Sequence, residues 1–61
     1  MIVINSLKID NKYSVMQDAK NHIVIVLDDG CPVFRCRCNE LKNREGLTEI
    51  FQFYKAHIMR L

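Results

Sequence analysis

Asp29-Gly30 is the feature that most constrains this chain. It sits between two β-rich runs, His22–Asp28 (His-Ile-Val-Ile-Val-Leu-Asp) and Cys31–Cys38 (Cys-Pro-Val-Phe-Arg-Cys-Arg-Cys). An Asp-Gly pair supplies the two positive-φ positions of a type I′ turn, whose twist matches that of the strands it joins. The middle of the chain therefore reads as a hairpin, and the other elements are placed by what they must cover on it.

Ile2–Ile9 is β-rich and too short for a helix pattern. Asp10-Asn11-Lys12 is a polar turn, Tyr13–Asp18 a second strand, and Ala19-Lys20-Asn21 a second turn. From Asn43 to Leu61 the apolar period changes. Leu47, Ile50, Phe51, Tyr54, Ile58 and Leu61 fall on one side of a helix, with Asn43 placed to cap it. Glu45 and Glu49 lie early and Lys55, His57 and Arg60 late, the order that suits the helix dipole. Leu41 lies off the apolar side; Phe53 flanks it beside His57, and Met59 points away. The expected fold is α+β: a four-stranded antiparallel meander, order 1-2-3-4, with one C-terminal helix packed on one sheet face. Residues 1–61 form a single small domain, near the lower limit for a core that folds alone.

Three-residue turns at 10–12 and 19–21 give a register. One face then carries the rows Ile9, Tyr13, Leu27, Pro32; Leu7, Val15, Ile25, Phe34; and Asn5, Gln17, Ile23, Cys36. This is the expected core face, under the helix. The opposite face carries Ile4, Met16, Val24, Val26 and Val33, ringed by Lys8, His22, Arg35 and Arg37. An uncovered antiparallel face normally turns polar, and this one does not. Met16, Val24, Val26, Val33, Arg35 and Arg37 are therefore the expected partner-binding residues. Pro32 cannot donate to a ladder, which suits an outermost fourth strand with an edge open to strand addition.

Little else carries chemistry. Cys31, Cys36, Cys38, His22 and His57 are candidate zinc ligands, but they lack the paired C-x₂₋₄-C spacing of zinc knuckles. Cys36 and Cys38 read instead as small buried hydrophobes, and Cys31 as an exposed thiol beside the turn. Asp18 is placed opposite His22, as an ordinary ion pair. No nucleophile-and-base pair, phosphate loop or metal motif occurs, so no enzyme, cofactor or metal is expected. An odd cysteine count, no signal-peptide pattern and no long apolar run point to a cytoplasmic protein with reduced thiols.

The functional expectation is a small non-catalytic regulator or inhibitor that binds a protein partner, or a homodimer, through the outer sheet face. Its Ile/Asn/Lys-rich usage suits an AT-rich phage or mobile element. The alternative is DNA binding through the basic fourth strand. A three-stranded sheet followed by a helix is similar in layout, at the level of fold alone, to the arm-binding domains of some phage integrases. Arg35 and Arg37, on an exposed edge strand, are placed to touch phosphates or enter a groove. Against that stand a net charge of only +2 and no exposed aromatics on the sheet. A zinc-stabilised version of either is the third expectation.

Overall fold

The computed structural model describes residues 4–58. Four antiparallel strands, β1 (Ile4–Lys8), β2 (Tyr13–Asp18), β3 (Ile23–Asp28) and β4 (Cys31–Arg37), lie in the order β1-β2-β3-β4. One helix follows, α1 (Arg44–His57). This is the α+β meander that the sequence leads one to expect. Ile2, Met59, Arg60 and Leu61 lie outside the described residues, as does the side chain of Ile4.

The turns are built by aspartates. At the first, Asp10 Oδ1 accepts from the amides of Lys12 and Tyr13, both at 2.8 Å, closing the expected three-residue loop. Ile9 then pairs with Tyr13, Leu7 with Val15 and Asn5 with Gln17, as their shared face requires. At the third turn Asp29 (φ 53°) and Gly30 (φ 84°) both take positive φ, as a type I′ turn demands.

The second turn departs from expectation, and the departure moves a whole strand. Asp18 Oδ1 accepts from the amides of Lys20 and Asn21, and its Oδ2 from Asn21 Nδ2 at 2.6 Å. His22 then enters the left-handed region at φ 57° instead of starting the strand. The loop has four residues, Ala19–His22, not three, so Asp18 faces Ile23 and not His22. A one-residue slip turns every side chain of β3 to the other face. Val15 now faces Val26 and Gln17 faces Val24. Val24 and Val26, expected outside, are fully buried; Ile23, Ile25 and Leu27, expected inside, take the outer face.

A bulge restores the fourth strand. The β3–β4 register shifts between Val26 and Leu27, so Val26 faces Phe34 and Val24 faces Cys36. Phe34 and Cys36 thus keep their expected inward position, and Cys38 packs against the core with them. Pro32 still lies opposite Leu27, but it is exposed and belongs to no inner row. Val33, 39% exposed, is the extra residue of the bulge and no longer faces Val26.

The helix lies across β1, β2 and β3 on the inner face. Asn43 caps it, with its Oδ1 accepting from the Gly46 amide at 2.9 Å. Leu47, Phe51 and Tyr54 bury themselves on Val15, Val24 and Val26, large side chains against small ones. Tyr13 reaches Phe51 with ring centroids 5.3 Å apart. Burying each of these side chains contributes about 1.5–3 kcal/mol before the entropy cost. Ile58, expected on the apolar side, is 51% exposed beyond the last turn.

Gln17 is the buried polar residue of this core, 1% exposed. Its Nε2 donates to the Glu40 carbonyl at 2.7 Å, and its Oε1 accepts from the Lys42 amide at 2.8 Å. Asn5 Nδ2 donates to the Lys42 carbonyl at 3.1 Å. The polar row of the sheet therefore holds the connection between β4 and α1.

Two measurements check this arrangement. Val24→Asp should cost about 3 kcal/mol or more and leave the chain largely unfolded, because it buries an unpaired carboxylate. Ile25→Asp, one residue away on the outer face, should cost only about 1 kcal/mol. Far-UV circular dichroism with urea titration separates the two, and the reverse ranking would restore the three-residue turn. By the same assay Gln17→Leu should cost about 1–3 kcal/mol, since it strips the Glu40 carbonyl and Lys42 amide of their partner.

Candidate functional site

With the helix on the inner side, the outer sheet face is uncovered among the described residues. The register sets its rows. Ser6, Met16, Ile25 and Arg35 form one line across the four strands; Asp18, Ile23 and Arg37 lie in the next; Lys8, Ser14 and Leu27 in the third. The centre is apolar (Met16, Ile23, Ile25 and Leu27, all half-buried between their neighbours). The margins are polar and mostly basic: exposed Ser6 and Lys8 on the β1 side, exposed Arg35 and Arg37 on the β4 side. A concavity of about 380 Å³ at one corner is lined by Lys8, Ser14, Met16 and Leu27, among others.

Of the six residues expected to contact a partner, Met16, Arg35 and Arg37 lie on this face. Val24 and Val26 do not; they are core, because the extra turn residue reversed β3. Val33 is exposed at the bulge near the edge. Ile23, Ile25 and Leu27 replace the valines. The sequence signal for them was present all along: Ile-Val-Ile-Val-Leu is apolar at every position, so either register leaves an apolar outer face.

Arg35 and Arg37 have no carboxylate within ion-pair distance among the described residues. Lys12 reaches Asp28 at 3.9 Å, a largely solvated contact worth little. The cysteines are all free. Burial, with Cys38 nearby, pushes the Cys36 thiol up, which keeps it protonated and a poor nucleophile or ligand. The Cys38 thiol donates to the Glu40 carbonyl at 3.1 Å. Among the described residues no three His, Cys, Asp or Glu side chains come together as a metal would need, so zinc has no donor set there. Tyr54 is also pushed up, by burial first and then by Tyr13 and Asp28, as suits a core phenol. No helix among the described residues is long and apolar enough to cross a membrane.

These features define a class: a small α+β protein with one helix-covered sheet face and one apolar-centred face that no described element covers. The chain matches no protein-family model, no curated protein and no solved structure.

The turn aspartates supply the pH dependence. Hydrogen bonds from the Tyr13 and Lys12 amides hold Asp10 below its ordinary value of 3.8; the Asn21 side chain, then backbone amides, do so for Asp18. A carboxyl depressed by folding adds stability above its unfolded value, and that stability is lost as pH falls through the folded value. The urea midpoint should therefore hold steady down to the ordinary aspartate value of 3.8 and decline below it. In the Asp10→Asn, Asp18→Asn double variant the decline should flatten. An unchanged slope would show that other carboxylates govern acid unfolding.

Proposed function

We propose that this protein is a small non-catalytic interaction protein, a regulator or inhibitor that binds a protein partner or a second copy of itself through the outer sheet face. One observation carries the reading: Met16, Ile23, Ile25 and Leu27 form a continuous apolar centre on a face that no described element covers. Antiparallel sheets that face water alternate to polar residues, and β3 does not. An apolar centre with a charged rim is how protein interfaces are built. Lys8, Arg35 and Arg37 on that rim favour an acidic partner surface and would speed its approach. The absence of a matched nucleophile and base in the sequence supports a binding role over a catalytic one. A cytoplasmic setting accords with three free thiols.

DNA binding through β4 is the second reading, and Arg35 and Arg37, with no carboxylate in reach among the described residues, favour it. Its weakness is that the two guanidiniums stand beside an apolar surface and the whole chain carries only +2.

Light scattering on wild type and Ile25→Asp tests self-association. Wild type should be dimeric at micromolar concentration and the variant monomeric and folded. For a foreign partner, both proteins serve as paired baits in extract of the source cell, and a species held by wild type should be lost with Ile25→Asp. Monomeric wild type together with identical captured sets would remove the proposal. A mobility shift of duplex DNA that disappears in Arg35→Glu, Arg37→Glu and at high salt would put the second reading in its place.

A further inference from the structure

The outer face does not exhaust the exposed apolar surface. Because α1 lies over β1, β2 and β3, the inner side of β4 is only partly covered. A groove of about 280 Å³ runs between β4 and the helix, lined by Phe34, Cys36, Ile50 and Phe53, with Lys42 and Glu49 at its margin. Phe53 is 52% exposed, yet it leans on Phe34 with ring centroids 6.1 Å apart and on His57 at 4.7 Å. This is an aromatic wall standing in water beside a sheet edge.

That edge is open where the groove is. β4 pairs with β3 on one side and, among the described residues, with no strand on the other. The Cys38 amide donates to the His22 carbonyl at 2.8 Å. Antiparallel alternation then turns the backbone groups of Cys36 and Phe34 toward β3. The amides and carbonyls of Arg35 and Arg37 are left pointing outward. Pro32 and the bulge at Val33 block the first half of the edge, so any added strand is confined to the second half.

We propose that the Phe34–Arg37 edge of β4 is a strand-addition site for an extended acidic peptide whose residues alternate between apolar and carboxylate side chains. An added strand would bond to the main chain of Arg35 and Arg37. Its alternate side chains would point to opposite faces. Those on the inner side would enter the groove beside Phe34 and under Phe53 and Ile50. Those on the outer side would lie next to the Arg35 and Arg37 guanidiniums, which have no carboxylate partner among the described residues. Charge selects this occupant over a second copy of the chain: joining two β4 edges would set Arg35 and Arg37 of both copies on one face, a repulsive arrangement. The proposal shares Arg35 and Arg37 with the rim of the outer-face interface but not its apolar centre of Met16, Ile23, Ile25 and Leu27.

The test uses the intact protein and two blocked hexapeptides, one alternating valine and glutamate, the other valine and lysine. Amide resonances and hydrogen exchange are followed by NMR. The glutamate peptide should shift the Arg35 and Arg37 amides saturably, slow their exchange, and bind about tenfold more tightly than the lysine peptide. Arg35→Glu, Arg37→Glu should reverse that preference. Phe53→Ala, at an exposed site that leaves the core intact, should weaken binding several-fold with an unchanged circular dichroism spectrum. Ile25→Asn, which breaks the apolar outer face without setting a carboxylate beside Arg35, should leave peptide binding as it is, so that failure here and failure of the outer-face reading are told apart. Unprotected Arg35 and Arg37 amides, equal binding of the two peptides, or shifts confined to Met16 and Ile25 would each overturn the proposal. So would duplex DNA that shifts the Arg35 and Arg37 amides where the glutamate peptide does not.

Discussion

The two hydrogen bonds of the Gln17 side-chain amide hold this small fold together at its weakest topological point. A meander needs nothing but hairpins to bring each strand beside the last. The helix is different: the chain must leave β4 at one edge and travel back over the inner face to start α1 on the far side. Three peptide groups of that crossing, the Glu40 carbonyl and the amide and carbonyl of Lys42, sit in part-buried positions, where an unpaired donor or acceptor is costly. Gln17 answers one carbonyl and one amide at once, Asn5 answers a second carbonyl, and no buried side-chain polar atom among the described residues is left without a partner. The helix is thus delivered to Val15, Val24 and Val26 at a fixed height, and the cap at Asn43 begins one residue after the clamp ends.

That placement has a directional effect. Anchored over the β1–β2 side, α1 shields the inner face of the first three strands and only grazes the fourth. Phe34 and Tyr54, with centroids 5.9 Å apart, mark where coverage runs out. Both exposed apolar regions follow from the one geometry. Among the described residues the outer face is uncovered because their one helix lies on the inner side, and the β4 groove is there because that helix is held toward the opposite edge.

Much of the fold could be read from residue types with clear stereochemical meaning. Asp29-Gly30 marked its turn, Asn43 its cap, and the spacing of Leu47, Phe51 and Tyr54 the buried side of α1. The pairing of Asn5 with Gln17 was also legible, though not the reason for it, since a sequence does not show where a later loop will cross. The facing of β3 was not legible. Ile23 to Leu27 is apolar throughout, so both registers bury comparable surface and the pattern cannot choose. The choice fell to His22, which adopts a left-handed φ that His takes more readily than most residues but does not require, next to a turn in which Lys20 and Asn21 donate three hydrogen bonds to Asp18. A third of the expected site went with it: Val24 and Val26 exchanged places with Ile23, Ile25 and Leu27, while Met16, Arg35 and Arg37 kept their face.

The two-sided apolar character of β3 has a meaning for the history of such a chain. In most sheets the core strand has a written front and back, and the exposed side diverges while the buried side is held. Here both sides are qualified to be either. The inventory of surface side chains is therefore set by the span of one polar loop, Ala19–His22, and not by the composition of the strand beside it. An insertion or deletion in that loop acts less as a local scar than as an exchange of the centre of the outer sheet face, offering a lineage a new set of contacts without a new fold.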